Sequence, residues 1–237
     1  MSKFNSSQKI GDIATEFPKA KEVFKEYKID FCCGGDRQLT TAIEEQGLDE
    51  TEILSRVNAL YEKYANNLDS SDKSWQEAPL GEFVDYIVNK HHAYLWEELP
   101  RISKLTTTIL RVHGPNHPEL SKVHKLFHLV KMELEAHLAK EEAVQYPAIK
   151  KYEISNDEAD LEEAIRIIKE LQEEHKGAGD ILKELRAVND DYKIPDDVCG
   201  TFELTYTKLQ EMESDLFQHI HLESNILFPR LLGLKID

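Results

Sequence analysis

Two stretches of the chain follow one pattern: HLAKEEAVQYP, beginning at His137, and HIHLESNILFP, beginning at His219. The matched pairs are His137/His219, Glu141/Glu223, Tyr146/Phe228 and Pro147/Pro229. On a helix, residues at i and i+4 share a face, about 6 Å apart along the axis at a rise of about 1.5 Å per residue. An imidazole and a carboxylate so placed can hold a proton or a metal ion between them. A buried carboxylate is costly unless it is paired or bound to metal, so the burial of these pairs decides which chemistry they can do.

The surrounding pattern predicts burial. After residue 80 the chain carries four long helical segments, broken at VHGPNHP, YEISND and NDDYKIP. Each has an apolar stripe with alternating steps of three and four. The first runs Val84, Val88, His92, Leu95, Leu99, Ile102; the second Val123, Phe127, Val130, Leu134, His137, Glu141, Val144. The third runs Leu161, Ile165, Ile168, Leu171, His175, Ala178, Leu182, Leu185; the fourth Leu209, Met212, Leu216, His219, Glu223, Ile226. Four such stripes with short connections predict an all-α protein built on an antiparallel four-helix bundle. Every stripe contains a His, and two add a Glu one turn on. One His on an apolar stripe is ordinarily a core His with a hydrogen-bond partner. Four of them with two repeated His–Glu pairs point to a metal site: His92, His137, His175 and His219 as terminal ligands, Glu141 and Glu223 between two ions. Six ligands suit a binuclear site better than a mononuclear one. Pro147 and Pro229 mark where the second and fourth helices end or bend.

Other polar residues divide on spacing. His91 falls off the stripe beside His92. His124 and His128 lie beside theirs and are expected in solvent, and His221 points away from His219 and Glu223. Glu133, one turn before His137, and Glu174, directly before His175, are candidates to relay protons or guide iron; the plain alternative is a solvated helix carboxylate. Ser155 to Glu158 has capping-box spacing. Adjacent Cys32 and Cys33 close a disulfide only through a strained ring, so free thiols are expected. They precede Gly34-Gly35-Asp36, where a helix start would lower their pKa and raise their reactivity; otherwise they pack as small residues. Cys199 stands alone and is expected to be structural.

The chain has 237 residues, 41% apolar, with a net charge of −16. That charge argues against nucleic acid and anionic membranes as partners. No apolar run is long enough to span a bilayer, no signal-peptide core opens the chain, and three Cys form no disulfide framework. A cytoplasmic protein is expected. The polar stretch NNLDSSDKSWQEAP suggests a small helical domain over residues 1–70, a linker over 71–79 and the bundle over 80–237.

The His–Glu pairs with their aromatic–Pro endings resemble the hemerythrin-like bundles. No Glu-x-x-His occurs, so the ferritin-like di-iron proteins fit poorly, and Gly179 stands where hemerythrin proper has a further His. The opening segment IGDIATEFPKAKEVFKEYKIDFCCGGDRQL, with Phe31-Cys32-Cys33-Gly34-Gly35, is similar to the N-terminal domain of the iron-sulfur cluster repair di-iron proteins. That resemblance covers essentially the whole chain. It implies two non-haem iron ions per chain, oxo-bridged, and recovery of damaged or apo iron-sulfur proteins after nitric oxide or peroxide stress, by supplying iron. It also suggests a homodimer. Two alternatives stay open: an enzyme reducing nitric oxide or peroxide at the di-iron centre, and a sensor of oxygen or nitric oxide.

Overall fold

The computed structural model describes residues 2–64 and 75–234. Residues 65–70 of the expected first domain and 71–74 of the expected linker lie outside the described residues. The helices are α1 (Ile10–Glu16), α2 (Ala20–Glu26), α3 (Leu39–Gln46), α4 (Glu50–Tyr64), α5 (Leu80–Ile87), α6 (Ala93–His113), α7 (Leu120–Lys140), α8 (Tyr146–Ser155), α9 (Glu158–Arg166), α10 (Ile168–Val188), α11 (Gly200–Leu222) and α12 (Phe228–Gly233). Among the described residues there is no strand, and an isolated antiparallel bridge joins Lys9 to Gln38. The fold is all-α, as the stripes predict. By contacts the chain forms two units: Met1–Phe83 with Phe217–Asp237, and Val84–Leu216.

Three single π turns continue one α-helix into the next: Val88–His92 from α5 to α6, Glu141–Gln145 from α7 to α8, and Glu223–Leu227 from α11 to α12. Two of them explain the repeated motif. Proline has no N–H to donate, and its ring clashes with the carbonyl four residues back. A π turn, bonded i to i+5, moves that carbonyl aside. The N–H of Tyr146, just before Pro147, donates to the Glu141 carbonyl, and that of Phe228, before Pro229, donates to the Glu223 carbonyl. The spacing from Glu to aromatic is thus the span of one π turn, and the helix bends rather than ends. No proline follows the turn at Val88–His92, where the Ala93 N–H reaches the Val88 carbonyl; the sequence offers no comparable cause there.

The extra residue shifts the stripes. Val144, expected inward, is 36% exposed, and Gln145 and Tyr146 are buried in its place. In the first helix Val88 is only half-buried, while Ile87, His91 and His92 are all buried. The third segment breaks at Ile167 between α9 and α10. Its N-cap is Asp157, whose carboxylate accepts the Ala159 N–H at 2.9 Å; Ser155 instead accepts the Asp157 N–H, so the expected Ser155–Glu158 box does not form.

In the unit Val84–Leu216 the helices alternate in direction. Ser103 and Thr107 of α6 meet His128 and His124 of α7. Lys140 and Lys122 of α7 meet Glu170 and Glu184 of α10, and Glu98 of α6 and Lys208 of α11 pair at 3.6 Å while His91 meets Asp215. Each pairing climbs one helix as it descends the other. Leu99, Ile102, Phe127, Val130, Leu171, Leu182, Leu209 and Met212 fill the core, each burial being worth about 1.5–3 kcal/mol before entropy.

In the other unit, two-turn helices are too short to stand without tertiary packing. Phe4, Phe17 and Tyr61 cluster with ring centroids 5.3–6.1 Å apart, and Ile10, Ile13, Phe24, Leu39, Ile53 and Val57 are buried around them. Gly47 ends α3 at φ 63, a left-handed conformation that favours glycine.

Candidate metal centre

Within Val84–Leu216 three helical segments bring imidazoles onto one carboxylate. Glu141 opens its π turn fully buried. His137 Nε2 lies 3.1 Å from Glu141 Oε1, and His92 Nε2 lies 3.3 Å from Oε2. His175 Nε2 is 3.1 Å from His137 Nε2. Ligand atoms of His137, Glu141 and His175 all lie within 4.8 Å of one another.

The orientation of these rings is set from behind. His137 Nδ1 donates to Glu174 Oε2 at 2.7 Å, and His92 Nδ1 donates to Glu142 Oε1 at 2.9 Å. With Nδ1 carrying the hydrogen, a neutral imidazole presents a lone pair at Nε2. Both lone pairs then face Glu141 oxygens, which are acceptors as well. Acceptors at this distance in a buried site require a cation between them, either a proton or a metal ion. A carboxylate behind a ligand imidazole, fixing its tautomer, is the usual arrangement at metal sites. The residues therefore fit a metal. Imidazole and carboxylate suit iron, zinc or manganese.

Glu174 is the sequence-nominated carboxylate that reaches this cluster. His137, ahead of Lys140, pulls its carboxyl down to about 2 in spite of partial burial. Glu133 lies on the exposed face of α7. Two further residues carried no signal in the apolar pattern. Glu142 holds His92 and also accepts from Trp96 Nε1 at 3.0 Å. Tyr146 stacks on His92 and places its hydroxyl 3.4 Å from Nε2; its partner in the repeat, Phe228, has no hydroxyl. The π turn also buries Gln145, whose side-chain amide makes no hydrogen bond among the described residues.

The remaining histidines of this unit have other partners. His91 is buried with Nδ1 2.9 Å from Asp215. His124 and His128 are half-buried rather than solvated, held by Thr107 and Ser103.

In the unit Met1–Phe83 with Phe217–Asp237, His219 Nε2 lies 3.2 Å from Glu223 Oε2, both fully buried. His221 faces the other way, against the Phe31 ring and Asn225. Asn225, inside the π turn that Glu223 opens, donates Nδ2 to the carbonyls of Phe31 and Cys32 at 3.2 and 3.3 Å. Its Oδ1 occupies the space above Gly11 and Gly35, where an added Cβ would stand 2.2 and 2.4 Å away.

Cys32 and Cys33 are free thiols with sulfurs 3.8 Å apart. They do not sit at a helix start, because the next helix begins at Leu39. Cys32 is buried, and burial, with Cys33 and Asp30 adding to it, pushes its thiol well above the ordinary range. The expectation of a lowered pKa fails for Cys32. Asp30, unmarked by the sequence pattern, accepts the backbone N–H groups of Cys32 and Gly34 at 3.2 and 3.1 Å. Its carboxylate and the two sulfurs lie within 4.8 Å of one another.

No helix among the described residues is long and apolar enough to cross a membrane. Residues 6–61 match a family described as a domain of unknown function, ScdA_N, and residues 84–231 match the hemerythrin HHE cation binding domain. The iron-sulfur cluster repair protein ScdA of Staphylococcus haemolyticus is 29% identical over 221 residues, 93% of this chain and 96% of that one. The probable iron-sulfur cluster repair protein of Haemophilus influenzae is 33% identical over 230 residues, covering 97% and 99%. The iron-sulfur cluster repair protein YtfE of Citrobacter koseri is 32% identical over 226 residues, covering 95% and 97%. With a cation-binding domain over most of its length and this likeness from end to end, the chain belongs to the iron-sulfur cluster repair protein family.

Proposed function

We propose that the chain holds a non-haem di-iron centre on His92, His137, Glu141, His175, His219 and Glu223, and that it repairs damaged iron-sulfur clusters by supplying iron. The observation that carries the reading is the buried Glu141 carboxylate, with the Nε2 atoms of His92 and His137 turned onto it. The names of the relatives supply the cluster-repair role, and the match over residues 84–231 runs through all six proposed ligands.

Bound iron would supply a labile, redox-active cation within reach of a small ligand. The chain's own residues do the rest. Glu174 and Glu142 fix the tautomers of His137 and His92. The aliphatic shell of Leu95, Leu134 and Leu138 limits water. Gly179, one turn after His175, has no side chain to offer as a further ligand, so release of iron meets one fewer bond.

The test is anaerobic. Reduced, iron-loaded protein is mixed with a nitric-oxide-damaged dehydratase, and enzyme recovery is followed beside loss of iron from the protein. Recovery matched by iron loss supports delivery. Many turnovers of gaseous product with iron retained would instead make the protein a nitric oxide reductase.

A further inference from the structure

Far from the metal cluster, the unit Val84–Leu216 carries a second reactive group. Cys199, expected to be structural, is exposed. His113 Nε2 lies 3.2 Å from its sulfur. Cys199 also stands at the start of α11, where its carbonyl accepts the Phe202 and Glu203 N–H groups. The sulfur itself is stabilised by the N–H groups of Thr201 and Phe202, and with His113 as the largest influence the thiol falls to about 7. The imidazole is held in place: the Phe202 ring stands edge-on to His113 and to His117, 5.4 Å from each.

We propose that Cys199 is a thiol–disulfide exchange site, its sulfur kept as a thiolate by the His113 imidazolium and open to attack on small disulfides. In the step, the Cys199 sulfur attacks one sulfur of R–S–S–R. A new S–S bond forms as the old one breaks, and the electron pair leaves on RS⁻. Cys199 is oxidised to the mixed disulfide and one R–S half is reduced; a second thiol reverses the change.

The charged groups around the pair are few. His113 faces the sulfur from α6. His117 and Glu119 follow in the next turn, with His117 Nδ1 3.2 Å from Glu119 and Nε2 3.5 Å from Asp197. The two carboxylates are therefore engaged by His117, and they favour a cationic disulfide over an anionic one. His113 is the last residue of the 21-residue α6, so at about 1.5 Å per residue the site lies roughly 30 Å along the helix from His92. Exchange there leaves the proposed iron ligands untouched, and its test is independent of the iron reading.

The experiment incubates the full-length, metal-loaded protein with cystamine between pH 5.5 and 9.5 and follows the adduct on the Cys199 peptide by mass spectrometry. Wild type is compared with His113→Gln and His113→Asn, with Cys199→Ser assigning the site. With an ordinary thiol pKa of about 8.5 in the variants, the wild-type thiolate fraction at pH 5.5 is about thirtyfold larger. Its intrinsic nucleophilicity is about fivefold lower, so wild type reacts about sixfold faster. Near pH 9.5 both are ionised and the order reverses, the variants reacting about fourfold faster. Rate–pH curves that cross in either variant support the proposal. Curves that superimpose in both, or adducts at Cys33 with Cys199 unmodified, overturn it.

Discussion

Glu174 accepts the Nδ1 hydrogen of His137 at 2.7 Å and so turns the other nitrogen of that ring onto Glu141, 3.1 Å away. Removing the carboxylate leaves the ligand but frees its tautomer and rotation. Glu174→Ala should lower metal affinity about 10–100-fold, measured by competition with a chelator. Glu133→Ala, on the exposed face of the same helix, should bind as wild type; equal losses in both would remove Glu174 from its positioning role.

The proposed bridging carboxylates should matter more than the neighbouring imidazoles. Glu141→Ala and Glu223→Ala are expected to lose most of the metal, and His124→Ala and His128→Ala to keep it, by elemental analysis of iron per chain. Loss of metal on changing His124 would mean that the ligands come from another face of α7.

Proline replacement tests the π turn directly. Pro147→Ala restores a donor and removes the ring, so the segment after Glu141 can return to an α ladder. The metal-free protein should be as stable as wild type or more so, by up to about 3 kcal/mol, while metal content falls because Glu141 is rotated off its partners. Undiminished metal with Pro147→Ala would show that proline does not hold the turn.

Glycine positions give opposite signs. At Gly35 an added Cβ would stand 2.4 Å from Asn225 Oδ1 and 2.8 Å from the Phe31 carbonyl, one of them backbone. Gly35→Ala should lower the melting temperature through the Asn225 contacts that hold the Cys32 turn. At Gly177, within α10, nothing lies within 4 Å, and Gly177→Ala should raise stability by about 1 kcal/mol. A stable Gly35→Ala protein would show that the turn yields easily.

The thiols of the Cys32 turn lie outside the proposed ligand set. Cys32→Ser/Cys33→Ser should load iron normally and repair a damaged dehydratase more slowly at equal iron content, because a serine hydroxyl offers neither soft ligation nor disulfide exchange. Equal recovery rates would make the pair structural.

The bundle was legible because four apolar stripes repeat at helical spacing, each long enough for the period to show. The short helices α1 to α3 span about two turns, too little for periodicity to locate their ends. The repeated His–Glu–aromatic–Pro motif was visible as letters, but its meaning as a π turn was not: steps of three and four describe an α-helix, so Val144 was placed inward in preference to Gln145. Glu142 escaped notice because its neighbour Glu141 took the stripe position, and a residue holding an imidazole from behind has no periodic signature. Cys32 and Cys199 exchanged the characters expected of them. Thiol reactivity depends on burial and on partners distant in sequence, here His113 for Cys199, and local pattern carries neither.

Each π turn holds one residue more than the α turn it replaces, so the long helices tolerate length changes unevenly. Deleting one residue between Glu141 and Tyr146 would let the hydrogen-bond ladder close regularly. Everything beyond would then be rotated by about 100°, swinging Tyr146 and Ile149 out of the core they now occupy. The same deletion in the middle of α7 would instead displace His137 and Glu141 relative to the first half of their helix. Insertions and deletions along this chain are therefore expected to be tolerated in the connecting segments after α6 and α10, and to be forbidden at the π turns, where an added residue has become part of the architecture.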